Sequence, residues 1–150
     1  MRTYLVIIDE TEEAHVALRF AARRASKTGG AVHILALVPK KAFNAFGGVQ
    51  ATIEEEARDR AEVLATSAAG ELFSESGKMP QIAVRMGEGK AVILEYLAEH
   101  PEVAALVLGA AAEGNPGPLV SYFSGTAGTL PCPLFIVPGG LGEDEIDRLS

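Results

Sequence analysis

Two short apolar runs late in the chain, Ala104–Leu108 and Leu134–Val137, bracket a Gly/Pro-rich loop and a short helical segment that starts near Leu119 or Ser121. Strand, glycine-bearing turn, helix and strand in that order form the tail of a β-α-β unit. In an open parallel sheet, the loop after a strand's carboxyl end is where a ligand sits. The stretch Leu106–Pro138 is therefore where function is sought first.

The rest of the chain repeats the alternation. Tyr4-Leu5-Val6-Ile7-Ile8 is a continuous apolar run that breaks at Asp9-Glu10-Thr11, as expected of a strand buried on both faces. From Glu12 to Lys27, Ala14, Ala17, Leu18, Ala21 and Ala25 recur at helical spacing, with Thr11 as N-cap and Gly29-Gly30 as the stop. Val32 to Val38 reads as a second strand, ended by Pro39. Lys40–Gln50 has no periodicity and is expected to be a mobile loop of the kind that borders sites. Ala51–Phe73 reads as a second helix, acidic at Glu54-Glu55-Glu56. A weaker strand follows at Gln81–Arg85, then a third helix after Gly87-Glu88-Gly89 that ends at His100-Pro101, then a fourth strand from Val103. This order selects a mainly parallel α/β sheet with helices on both faces, formed by one domain over residues 1–138. Residues 139–150 read as a flexible acidic tail, a glycine hinge followed by a short helix or frayed end.

Composition narrows the function classes. A chain of 150 residues buries roughly 68–70% of its unfolded surface, enough for a self-sufficient core. The net charge of −7, with no basic cluster larger than Arg23-Arg24 or Lys40-Lys41, argues against a nucleic-acid partner. No apolar run is long enough for a membrane span, and nothing before Tyr4 resembles a signal peptide, so a cytoplasmic location is expected. The single Cys132, between two prolines, reads as a small buried hydrophobe.

Few residues form a motif. Gly87-Glu88-Gly89-Lys90 lacks both the Gly-Lys-Ser/Thr of a phosphate loop and the third glycine of a dinucleotide fingerprint, and reads as a tight strand-to-helix turn. His15, His33 and His100 show no metal-ligand spacing, so no metal is expected. Ser121, Ser124 and Thr126 lack a Gly-x-Ser-x-Gly context, and no catalytic residue is assigned. Asp9, at the carboxyl end of the first strand, has two readings: contact with a nucleotide's base or ribose, or a cap for the following helix.

Taken together, Ile7-Ile8-Asp9 with helix Ala14–Ala25, Leu37-Val38-Pro39, Gly87-Glu88-Gly89, Leu106-Val107-Leu108-Gly109 and the ending Pro131-Cys132-Pro133-Leu134-Phe135-Ile136-Val137-Pro138 make the chain resemble the universal stress protein family over nearly its full length. The resemblance implies a Rossmann-like, five-stranded, mainly parallel open α/β sheet of the adenine nucleotide alpha hydrolase-like kind. It also implies a cytoplasmic homodimer joined through the last strand (Leu134, Phe135, Ile136, Val137), a role in stress responses and no established catalytic reaction.

One branch of that family binds ATP through Gly, two residues, Gly, nine residues, Gly and Ser/Thr after the fourth strand. Here Gly114 and Gly117 keep the first gap, but seven residues separate Gly117 from Gly125-Thr126. Counting back from Cys132-Pro133 instead puts the Gly-Ser pair at Val120-Ser121, where valine stands for glycine. For a bound ATP or AMP, the resemblance places Asp9 and Val38 at the adenine and ribose. Gly109, Gly114, Gly117 and either Ser121 or Gly125-Thr126 would then surround the phosphates. Pro116 and Pro118 remove two N–H donors from that loop.

Three functions follow as expectations: a dimeric interaction module of the stress-protein kind, an ATP- or AMP-binding member whose nucleotide state regulates association, and a small nucleotide hydrolase or transferase. The last has no base, nucleophile pair or metal constellation to support it.

Overall fold

The computed structural model describes residues 2–39 and 47–150, without the side chains of residues 47–51. Five strands, β1 (Thr3–Ile8), β2 (Ala31–Val38), β3 (Gln81–Met86), β4 (Val103–Ala110) and β5 (Leu134–Pro138), form one sheet in the order β3-β2-β1-β4-β5. Every neighbouring pair is parallel. This is the α/β architecture expected, and its reason is visible in β1. All six residues of β1 are buried, because helices cover both faces.

The side-chain alternation of β1 sorts two cores. Tyr4, Val6 and Ile8 pack with α1 (Glu12–Thr28) and α2 (Gly47–Ser76), while Leu5 and Ile7 pack with α3 (Gly89–Glu99) and α4 (Pro118–Gly125). Right-handed crossovers require this division, since the chain steps outward from β1 to β3 and then returns to β4 and β5. Small residues let α1 lie close to the sheet: Ala14, Ala17, Ala21 and Ala25 all face inward. Gly109 is part of the same fit, because a Cβ there would stand 2.0 Å from the carbonyl oxygen of Glu13.

Three expectations are corrected. Helix α2 is longer than Ala51–Phe73, beginning at Gly47 and ending at Ser76. Its end is set by Ser76, whose hydroxyl donates to Leu72 O at 2.8 Å, and by Gly77 at φ 72, whose N–H donates to Phe73 O. The expected loop Lys40–Gln50 is thus shortened by α2 at one side, and its residues 40–46 lie outside the described residues.

The third concerns the tail, where the short acidic helix is found and the flexible, frayed alternative is not. Glu143–Leu149 forms α5, with Ile146 1% exposed. Asp147 accepts ion pairs from Arg19 at 3.5 Å and Arg23 at 2.9 Å, and its carbonyl accepts from Lys27 Nζ. The acidic run of the tail answers a basic face on α1.

Candidate functional site

Strand β1 lies at the centre of the sheet, and the chain leaves its carboxyl end toward β2 but leaves that of β4 toward β5. The crevice between β1 and β4 is therefore the topological switch point. The segment after β1 forms its floor. Asp9 Oδ1 accepts hydrogen bonds from Thr11 N at 2.9 Å and Thr11 Oγ1 at 2.5 Å. Thr11 Oγ1 in turn accepts from Ala14 N at 3.3 Å, so that threonine caps α1 and the carboxylate steadies the cap. Asp9 thus supports the start of α1 through Thr11 and lies exposed at the strand end.

Two hollows meet at this segment, and Asp9 and Thr11 line both. The larger, about 410 Å³, lies at the ends of β1 and β2 under α2, with Ile8, Leu37, Pro39, Ile53, Ala57 and Arg60 among its walls. That volume is within the roughly 300–1,000 Å³ of small-molecule pockets. The smaller, about 140 Å³, lies at the ends of β1 and β4, closed by Glu13, Gly109, Pro116, Gly117, Pro118 and Val120.

The loop over the smaller hollow is held by its own hydrogen bonds. Ala111 N donates to Pro116 O at 3.1 Å, and Gly117 N donates to Asn115 Oδ1 at 2.9 Å. Gly117 takes φ 117, a conformation suited to glycine, and hands the chain to Pro118 as the first residue of α4. Lys90 stands 4.8 Å above the Tyr122 ring of α4 and 3.4 Å from Glu88.

Of the candidate residues named from sequence, Asp9, Gly109 and Gly117 come together around the smaller hollow. Val38 is buried beneath the larger one, whose wall is formed by its neighbours Leu37 and Pro39. Gly114 lies on the exposed loop at φ 71, and Ser121 is exposed on the first turn of α4. Gly125 and Thr126 are not brought to this crevice. They stand at the other end of α4, roughly 12 Å along an eight-residue helix, where Thr126 Oγ1 donates to Tyr122 O. Of the two alignments of the glycine pattern, the one that puts Val120-Ser121 in place of Gly-Ser meets the strand ends.

Sequence reasoning missed the α2 wall of the larger hollow. Ile53, Ala57, Ala61 and Leu64 recur at the helical spacing that any core-facing helix shows, and Arg60 beside them gives no separate signal.

A second polar cluster lies toward the opposite end of the sheet. Tyr96 on α3 hydrogen-bonds His33 Nδ1 of β2 through its hydroxyl at 2.9 Å, and His100 Nδ1 meets Tyr96 O at 2.9 Å. The Tyr96 and His100 rings stack at 3.9 Å, and Arg85, paired with Glu99 at 2.8 Å, covers the Tyr96 ring. Burial lowers the His33 pKa, and neighbouring His100 lowers it further. Burial also raises the Cys132 thiol, consistent with a packed, unreactive side chain. Among the described residues, no group of three His, Cys, Asp or Glu is placed to hold a metal ion, and no helix is long and apolar enough to cross a membrane.

An open parallel sheet wound in both directions from β1, with hollows at the strands' carboxyl ends, defines a doubly wound α/β domain. The model of the Universal stress protein family matches residues 1–138. The chain belongs to the universal stress protein family, and by that membership is a stress-response protein.

Solved structures share the fold. Universal stress protein UspA from Lactobacillus plantarum aligns at TM-score 0.77 and 20% identity, over 91% of this chain and 97% of that one. A family protein from Arabidopsis thaliana with AMP bound aligns at TM-score 0.60 and 12% identity, over 92% of each chain. A universal stress protein in complex with cAMP aligns at TM-score 0.54 and 14% identity, over 91% of this chain and 96% of that one. Among curated protein sequences, none matches the chain.

Proposed function

We propose that this protein is a cytoplasmic regulatory module that binds an adenine nucleotide beside Asp9 and associates with a second copy of itself through β5. The observation that carries the nucleotide reading is the hollow of about 410 Å³ at the ends of β1 and β2, opening on the switch-point crevice with Asp9 on its rim. Adenine would lie against Ile8, Leu37 and the α2 wall. Asp9, whose Oδ1 alone is engaged by Thr11, would accept from the ribose hydroxyls through its other oxygen. The neighbours solved with AMP and cAMP support the choice of an adenine ligand.

The test is to denature freshly purified protein and identify the released small molecules by ion-exchange chromatography with absorbance at the adenine band. A stoichiometric adenine nucleotide is expected. An empty trace, followed by no heat on titration with adenosine, AMP or ATP, overturns the nucleotide reading.

A separate observation favours association. Strand β5 is an edge strand, and Ile136 on it is 40% exposed between Phe135 and Val137. An apolar edge with unpaired backbone groups calls for a cover, and a second copy provides a matching one. Light scattering at micromolar concentration is expected to give twice the monomer mass; a monomer overturns this half of the proposal.

A further inference from the structure

We infer that the cleft takes a nucleoside or a nucleoside monophosphate and rejects the di- and triphosphate; this rests on the adenine-nucleotide reading above. The larger hollow has the size for a base and ribose, whereas the one beyond Asp9, where further phosphates would go, holds about 140 Å³. That is below the roughly 300 Å³ at which small-molecule pockets begin.

Few of its donors are free. Pro116 and Pro118 have no N–H, the N–H of Gly117 is bound to Asn115 Oδ1, and that of Ala111 to Pro116 O. Ser121 N already donates to Gly117 O within α4, which leaves the N–H groups of Leu119 and Val120 at the start of α4 and that of Glu13 at the start of α1. These few donors suit one phosphate. The Val120 side chain, 6% exposed, takes part of the wall where a glycine would let the backbone approach.

Charge acts in the same direction. The residues lining the smaller hollow include the carboxylates of Asp9 and Glu13, and none of them is basic. Arg60 of α2, an exposed residue, lines the other hollow and not this one. A triphosphate would bring up to four negative charges to a crevice that already carries two, in a chain of net charge −7.

The experiment is calorimetric titration of the whole protein with adenosine, AMP, ADP and ATP, the last two with and without Mg²⁺. Adenosine or AMP is expected to bind at least about tenfold more tightly than ATP under every condition. ATP binding as tightly as AMP overturns this inference and leaves the nucleotide reading intact. Absence of binding by all four overturns the nucleotide reading itself, and the inference with it.

Glu13→Gln supplies a check that leaves the backbone contacts in place. It is expected to narrow the AMP-over-ATP preference about threefold while changing adenosine affinity less than twofold. An unchanged preference overturns the electrostatic part of the argument.

Discussion

The two ends of the sheet use polar residues in opposite ways. At the amino end, His33, Tyr96 and His100 bond and stack on one another beneath the Arg85–Glu99 pair, and little is left for solvent or ligand. At the carboxyl end, Asp9 and Thr11 satisfy one another and cap α1 but remain exposed beside two hollows. The difference teaches that the same fold closes its polar groups on one another at one end of the sheet and leaves them open beside hollows at the other. Substitutions at the amino end are expected to move the unfolding free energy, and those at the carboxyl end the affinity for ligand.

The sharpest break is Tyr96→Ala. Tyr96 is 0% exposed, fills the core under α3 and joins three residues of the cluster. Its loss is expected to cost about 3–5 kcal/mol by urea unfolding, as for other large buried aromatics. Tyr96→Phe keeps the ring, leaves His33 Nδ1 without its partner, and is expected to cost about 1–3 kcal/mol. If Tyr96→Ala left stability unchanged while abolishing binding, the division between the two ends would fail.

Gly109→Ala tests whether the carboxyl end has any stabilising role. The added methyl meets the Glu13 carbonyl at 2.0 Å and Glu13 C at 2.5 Å, so α1 must move away from β4. A loss of about 1–3 kcal/mol is expected from such overpacking. Because the shift displaces Glu13 and the start of α1, ligand affinity is expected to fall with it. Gly109 is the position where the two ends' roles overlap, and equal stability with weakened binding would assign it to the ligand alone.

Titration separates the two ends by a different route. The folded state holds the His33 pKa below its ordinary value because burial disfavours the imidazolium, and His100 adds repulsion. Glu102 opposes this, while Tyr96 and Arg85 complete the surroundings. In the pH range between the folded and unfolded pKa values, the unfolded chain binds the extra proton, so stability is lost as pH falls below the ordinary histidine value. One such group gives a slope of at most about 1.4 kcal/mol per pH unit. Urea midpoints measured across pH 5–8 are expected to show this acid limb, and His33→Gln to flatten it. An acid limb unchanged by His33→Gln would place its origin elsewhere.

How much of this could be read from the chain depended on distance along it. The strands were legible because runs such as Leu5-Val6-Ile7-Ile8 have no other use in a soluble domain than burial on both faces. Asp9 was legible because it follows such a run. The amino-end cluster was not, since 63 residues separate His33 from Tyr96, and spacing rules for ligands see only neighbours. The α5 lock was hidden for the same reason: Asp147 answers Arg19 across 128 residues. Counting from Gly117 to Gly125-Thr126 failed to find the strand ends because helix direction, which the count ignores, carries that pair to the wrong end of α4.

Asp9→Ala is the smallest change in stability and the most direct test of the carboxyl end. Thr11 remains as the capping side chain for α1, with its hydroxyl on Ala14 N, so the helix start keeps its main support. What is lost is the brace on Thr11, expected to cost less than about 1 kcal/mol. The affinity for adenosine or AMP, by contrast, is expected to drop at least about tenfold, because the proposed binding mode takes the ribose hydroxyls onto the Asp9 carboxylate. Measured together by urea unfolding and calorimetric titration, the pair of numbers distinguishes the two uses of the carboxylate. A large stability loss with binding retained would make Asp9 a structural cap, and the carboxyl end would then resemble the amino end after all.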